Sequence, residues 1–251
     1  MIQSVDRAIR ILNALKGARR MSLSEIAGQL ELPPSTAHGI IKTLAEHGMV
    51  DQDSDSGRYQ LGPAVLLLGN VYLDTLELRS RSFRWAEELA RRTGYAVRVG
   101  VLLWEDVVII HHEPRPDGTR QMPEVGIVVP AHACAAGKAL LAFHTRHAEQ
   151  LLAGAPLRNM TGETIVDPDA LRAELAQVAE TGIATERDEA VIGDSGLGAP
   201  IYGPTGEVIG AIEVVMPSSE WPVPDETTIA LRESARNISR ELNAPSYGRG
   251  A

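Results

Sequence analysis

Apolar positions recur at helical spacing from the start of the chain. Val5, Ala8, Ile9, Leu12 and Leu15 share one face of a helix over about Ser4–Leu15. Ser22 and Glu25 have the spacing of a capping box and predict a short helix through Leu30. Leu32-Pro33-Pro34 breaks it. Ser35 or Thr36 opens a second helix, with Ile40, Ile41 and Leu44 on its buried face, and His47-Gly48 ends it. Met49-Val50 and Arg58–Leu61 read as short strands around the polar turn 53–57. Helix, tight turn, helix and hairpin predict a winged helix-turn-helix whose second helix suits a DNA major groove. The alternative is a helical module that binds other subunits.

Gly62-Pro63 closes this small domain, 1–62. Ala64–Thr75 is then almost continuously apolar, with Val65, Leu66, Leu67, Leu68, Val71 and Tyr72. It is either a core helix or, at this boundary, a linker (63–76) lying in interdomain and dimer contacts. A helix over Leu78–Thr93 ends at Gly94. Strand patterns follow at Ala96–Trp104 and Val107–Glu113, joined at Glu105-Asp106, and at Val125–Val129. Helices are expected at about Ala135–Phe143, Ala148–Leu152 and Pro168–Thr181. Strands return at Ile183–Glu186, Leu197–Ile201 and Val208–Met216, with Thr205-Gly206 turning the last hairpin, and a helix over Asp225–Leu242 closes the pattern. Hairpins mixed with helices, without strict βαβ alternation, predict an α+β domain over 77–245 with a mainly antiparallel sheet. The tail Ala244–Ala251 is expected to be disordered.

Charge sharpens the division. The formal net charge is −9. Residues 1–62 carry seven basic and seven acidic side chains, whereas 63–251 carry 17 and 26, so the acidity belongs to the larger domain. A neutral module can still offer phosphates a locally basic surface, but strong non-specific DNA binding is not expected. Cys134 is the single cysteine, which excludes an internal disulfide and a cysteine-based zinc cluster. No apolar run reaches the roughly 18 residues of a membrane span, and the charged first helix is no signal peptide. A soluble cytoplasmic protein without a cofactor is expected.

Three blocks resemble the isocitrate lyase regulator (IclR) family of bacterial transcription factors. They are SVDRAIRILNAL through TAHGIIKTL and SGRYQLG, then VPAHACAAGKALLA, then GIATERDEAVIGDSGLGAPIYGPTGEVIGAIEV. The resemblance implies a winged helix joined by a linker helix to a GAF-like effector domain. It also implies a homodimer, or a dimer of dimers, on a palindromic double-stranded operator, with a small-molecule effector shifting the balance between two arrangements. STAHGIIKTL, DSDSGRYQLG, YLDTLELRSR and HHEPRPDGTRQ are similar to the family's glycerol-operon members from actinomycetes. That similarity implies glycerol 3-phosphate as effector and a repressor of glycerol catabolism. The rivals are a regulator sensing another small or aromatic acid, and an enzyme using an acidic pocket of Glu186, Asp194 and Glu213.

Candidate residues follow. On the second helix Ser35, Thr36, His38, Gly39, Lys42 and Thr43 face away from the apolar stripe. Hydroxyls near a helix N-terminus suit phosphates, and Lys42 suits a phosphate or a guanine edge. Arg58 in the wing suits the minor groove or a phosphate. Many family members carry basic residues where Pro34 and Gly39 stand here. In the larger domain Ala135, Ala136 and Gly137 are small enough either to admit an anionic ligand at a helix start or to pack tightly on the sheet. The resemblance places the effector pocket there, with Glu186, Asp194, Gly196, Leu197, Glu213 and Val215 around it. Keto-acid sensors of the family have Cys at the Gly196 position and Ser at those of Glu213 and Val215. Carboxylates in those places suit hydroxyl-rich ligands. Arg98 would then supply charge for a phosphorylated polyol, or pair permanently with Glu213. His111 and Glu113 could share a metal ion, but a third ligand is missing and no metal site is assigned. Gly193-Asp194-Ser195-Gly196 and Ala131–Cys134 imitate serine-protease motifs, which without triad geometry carry no catalytic assignment.

Overall fold

The computed structural model describes residues 1–154 and 156–245, and the chain divides between Thr75 and Leu76 into two compact units. The first contains α1 (Gln3–Ala18), α2 (Leu23–Gln29), α3 (Pro34–Glu46), β1 (Val50–Gln52), β2 (Tyr59–Leu61) and α4 (Ala64–Thr75). The capping box forms: Ser22 Oγ accepts from Glu25 N at 3.2 Å, and Ser22 N donates to Glu25 Oε2 at 2.7 Å. Helix α3 starts differently from expectation. Pro33 is its N-cap without a side-chain bond and Pro34 stands in the first turn, so Ser35 and Thr36 lie inside the helix rather than capping it. Proline needs no partner for a missing N–H, and its fixed φ suits this place. Ala37 and Ile41 are the buried anchors of α3, with Ile40 and Leu44 packed beside them.

Helix α1 corrects another expectation. It buries Ile11, Ala14 and Leu15, whereas Val5 and Ile9 are 53% and 54% exposed. The buried positions lie in the C-terminal half of α1, which packs on α3 and β2. Periodicity alone does not separate a core stripe from a surface one. The wing pairs Val50 with Leu61 and Gln52 with Tyr59, and Met21 adds a bridge to Tyr59. At its tip Gly57 has φ +67°, a left-handed conformation that costs glycine little. Helix α4 buries none of its residues within its own unit.

The second unit contains α5 (Glu77–Thr93), β3 (Ala96–Leu103), β4 (Asp106–Glu113), β5 (Val128–Pro130), a 3₁₀ turn at Ala131–Ala133 and α6 (Ala135–Leu141). It continues through α7 (Thr145–Ala153), α8 (Pro168–Thr181), β6 (Ala184–Arg187), β7 (Asp194–Tyr202), β8 (Val208–Pro217) and α9 (Asp225–Glu241). The sheet has six strands in the order β5-β4-β3-β8-β7-β6, every neighbouring pair antiparallel. Gly210 of β8 meets Leu78 of α5, whereas Glu213 meets Ala136 of α6. Their odd separation puts α5 and α6 on opposite faces. Helices α5 and α9 pack together on one face, and α6 lies on the other with α8 behind it. The α+β class and the antiparallel sheet are as the sequence predicts. The segment predicted as a strand from Val125 begins only at Val128, because Glu124–Ile127 forms a turn with Gly126 at φ +88°. Of the tail, Ala244 N donates to Ser239 O at 3.0 Å, and residues 246–251 lie outside the described residues. Among the described residues no helix is long and apolar enough to cross a membrane.

Helix α6 is the keystone of the second unit. All its residues are buried, including Lys138 at 0% exposure. Lys138 Nζ donates to Glu174 Oε1 and Glu189 Oε1, each at 2.6 Å, and to Thr185 O at 3.1 Å. One ammonium therefore ties α6 to α8, to β6 and to the loop before β7. Gly137 sits so close to the 3₁₀ turn that a Cβ would lie 2.1 Å from Ala131 O. Between the two sequence readings of Gly137, close backbone packing is the one this geometry requires. Gly137→Ala should lower the urea midpoint of the second unit, with a loss of about 3 kcal/mol or more. Gly39→Ala is the control, because a Cβ there meets nothing within 4 Å. It should stabilise α3 by up to about 1 kcal/mol. Equal midpoints for the two variants would remove the packing argument.

Candidate functional site

The candidate DNA surface is the exposed side of α3. Ser35, His38, Gly39, Lys42 and Thr43 are exposed there, and Thr36 is half-buried. Thr43 Oγ1 donates back to Gly39 O at 3.2 Å, which leaves its oxygen able to accept but its proton already used. Lys42 is the only lysine or arginine on this helix. In the wing Arg58 is already engaged. Its Nη1 and Nη2 donate to the two Glu25 oxygens at 3.1 Å each, and Nη1 also reaches Arg20 O at 3.3 Å. Arg20 in turn pairs with Asp53 at 3.3 Å. A phosphate at Arg58 would thus compete with Glu25, whose carboxyl is held below its ordinary value by the Ser22 hydrogen bonds and by Arg58.

In the second unit, strand register gathers most of the predicted effector residues into two rows across the sheet. One row runs Glu186, Gly196, Val215 and Ala96. The other runs Gly198, Glu213, Arg98 and His112. Gly196 and Gly198 both face Ala135 of α6, so Leu197 between them points to the opposite face of the sheet. Leu197 belongs to the core there, which corrects its assignment to the pocket. Asp194 has the same parity as Gly196 and its carboxyl interacts with Arg98.

Two buried acids dominate this cluster. Glu213 is 2% exposed. Its Oε2 accepts from Ala136 N at 2.8 Å and its Oε1 lies 3.5 Å from Arg98 Nη1. The helix start that the sequence offered as an anion site therefore already holds a carboxylate. Burial raises the Glu213 pKa, and Arg98 and the Ala136 N–H offset only part of that rise. Arg98 also contacts Glu124, a residue outside the sheet. Burial works against the guanidinium, but Glu213 and Glu124 outweigh it and raise its pKa. Glu186 Oε1 accepts from Glu189 N at 2.8 Å, yet burial lifts its pKa to about 8. At neutral pH Glu186 is mostly protonated and can donate one hydrogen bond. Asp194 is also raised, chiefly by burial.

The other candidates resolve plainly. His111 Nε2 lies 3.9 Å from Glu113 Oε2, and burial lowers the imidazole pKa to about 4, so the contact is not an ion pair. Among the described residues no group of three or more His, Cys, Asp or Glu could hold a metal ion. Burial drives the Cys134 thiol well above its ordinary pKa, which leaves it a poor nucleophile. Ser195 Oγ is bonded to Ser218 Oγ at 2.9 Å, and His132 to Arg158 O at 2.9 Å, so no serine-protease pair forms. Sequence reasoning missed Glu124, His112 as a pocket neighbour, and the Lys138 clamp. Only the strand pairing of His112 with Arg98 could have signalled one of them.

A winged helix-turn-helix joined in one chain to an α+β domain that buries acids around one arginine is the architecture of a transcription regulator. Residues 4–54 match the IclR helix-turn-helix domain, and residues 70–240 match the bacterial transcriptional regulator IclR C-terminal domain. The chain belongs to the IclR family and is an IclR-type transcriptional regulator. It is 41% identical to the glycerol operon regulatory protein of Streptomyces coelicolor, over 98% of each chain. Among solved structures it resembles an IclR regulator from Silicibacter sp. TM1040, with TM-score 0.84 and 29% identity over 96% of this chain and 97% of that one. An IclR homolog from Microbacterium hydrocarbonoxydans, solved in complex with 4-hydroxybenzoate, gives TM-score 0.78 and 26% identity over 96% and 100%. The family and these relatives are regulators, which agrees with a non-enzymatic role.

Glu186 makes the site sensitive to pH in a defined direction. Its folded pKa of about 8 lies above the ordinary 4.5. Its contribution to stability is full below the unfolded value and is lost as pH rises through the folded one. Glu186→Gln removes that titration. The variant should therefore gain stability relative to the wild type from about pH 5 to about pH 8, by no more than about 1.4 kcal/mol per pH unit. Urea unfolding across that range measures it, and a constant difference would show that Glu186 titrates normally when folded.

Proposed function

We propose that this regulator represses a glycerol-catabolic operon in the cytoplasm and that glycerol 3-phosphate releases it from DNA. The observation that carries this reading is the pocket chemistry. Arg98 offers one strong cationic donor for a phosphoryl group, and Glu213, Glu186 and Asp194 line up as partners for hydroxyls. A keto acid would find only the protonated Glu186 as a hydroxyl donor and would meet the Glu213 carboxyl group at the helix start. The likeness to the Streptomyces coelicolor protein supports the same reading. On the DNA side, Ser35, Thr36, His38, Gly39, Lys42 and Thr43 are the proposed contacts, with Arg58 joining when it leaves Glu25.

A homodimer, or a dimer of dimers, would present two such helices to a palindromic operator. The support is the apolar surface left on the first unit. Leu66, Leu67, Leu68 and Val71 of α4 are 60% to 66% exposed. Such a helix is too apolar to stand in water and needs a partner. This surface supports the reading of 63–76 as a linker in a dimer contact.

Fluorescence anisotropy on a duplex from the regulator's own upstream region tests the function. Glycerol 3-phosphate should release the protein without being turned over, while glycerol and 4-hydroxybenzoate should not. Lys42→Ala should lower the dependence on salt by about one counterion. Release by an aromatic acid alone would replace the glycerol reading. For assembly, light scattering at micromolar concentration should show a dimer or larger species, and Leu67→Glu with Val71→Glu should shift it toward monomer. A wild-type monomer with and without DNA would end the dimer proposal.

A further inference from the structure

Arg98 has two carboxylate partners, and they differ in how firmly they are held. Glu213 comes from the central strand β8, is almost fully buried, and is anchored by Ala136 N at 2.8 Å. Glu124 comes from the Glu124–Ile127 turn between β4 and β5, and its side chain is 19% exposed. The same Glu124 carboxylate lies 4.0 Å from His112 Nε2. That is too far for a hydrogen bond. The His112 side chain is only 4% exposed, and its Nε2 has no hydrogen-bond partner. A buried ring nitrogen without a partner costs stability, and such atoms call for an explanation. His112 and Arg98 are cross-strand neighbours, so their side chains stand side by side on one face of the sheet.

We propose that Glu124 is an internal stand-in for the effector's anionic group, and that the phosphoryl group of a polyol phosphate replaces its carboxylate between Arg98 and His112. The inference rests on the polyol-phosphate reading above and deepens it by naming where the phosphoryl group docks and what it displaces. The exchange keeps Arg98 paired, since one anion leaves as another enters. A phosphoryl group brings three oxygens where the carboxylate has two, so it can bond Arg98 and also reach the His112 nitrogen. The helix start of α6 cannot serve instead, because Glu213 already occupies it. With the phosphoryl group at the Arg98–His112 end, the polyol hydroxyls face Glu213, Glu186 and Asp194. Glu124 then sets the affinity as well as the place. Every binding event must first open the Arg98–Glu124 pair, so apparent affinity is reduced by the fraction of molecules in which that pair is closed. Glu124 and His112 are thus positions that tune the response threshold.

Calorimetric titration with glycerol 3-phosphate, with inorganic phosphate and glycerol as comparison ligands, tests this on the full chain. Melting temperatures report whether each variant is folded. Glu124→Gln keeps an acceptor for Arg98 but removes the competing charge, and it should bind glycerol 3-phosphate about tenfold tighter than wild type. Glu124→Ala should do the same if the glutamine variant is poorly folded. His112→Phe keeps the ring volume and removes the nitrogen, and should bind about tenfold weaker, the size of one charge-assisted hydrogen bond. Wild-type binding with unchanged or weaker binding by both Glu124 variants would overturn the stand-in while leaving the glycerol 3-phosphate reading intact. Binding of glycerol 3-phosphate to the Glu124 variants but not to wild type supports the stand-in. No binding by wild type or by either Glu124 variant would overturn that reading and the inference together.

Discussion

The burial of one carboxylate governs the second unit. Glu213 stands on a central strand with water excluded, and a buried charge without partners would cost several kcal/mol. It finds two partners, the Ala136 N–H at the start of α6 and the Arg98 guanidinium across the sheet. The first fixes α6 against β8. The second holds Arg98 on the same face of the sheet, where its Nε meets Glu124. An acid that looks like an obstacle to an anionic ligand is therefore what orients the arginine an anion would need.

The Lys138 clamp extends the same logic away from the pocket. A fully buried ammonium is tolerated only when its donors are matched, and Glu174, Glu189 and Thr185 O match them. Glu189 leads into the loop whose N–H groups hold Glu186. Strand β6 and that loop are thus tied by charge to α6 and α8. Ionic pairs of this kind add little net stability, but removing one partner would strand a buried charge.

The DNA-binding unit follows a different economy of charge. Two of its cations answer its own anions, Arg58 with Glu25 and Arg20 with Asp53. Helix α3 presents a single lysine among hydroxyls, an imidazole and a glycine with open space above it. Equal numbers of basic and acidic side chains in residues 1–62 give the unit no bulk positive charge to hold a polyanion.

Sequence alone determined the elements whose signals are local. Capping box, proline break, helical period, wing turn and the antiparallel hairpins were legible because each depends on a few neighbouring residues. The family blocks placed Glu186, Gly196, Glu213 and Val215 around one pocket, and strand register does bring them together. What lay outside its reach depended on which surfaces meet. The buried stripe of α1 is set by where α3 and β2 end, not by its own periodicity. Leu197 faces away from the pocket because strand alternation leaves only every second residue on one side. Glu124 sits in a turn without periodicity, and nothing local says that its carboxylate reaches Arg98, 26 residues earlier. Charges buried by packing acquire their partners through space, and only the tertiary structure decided those pairings.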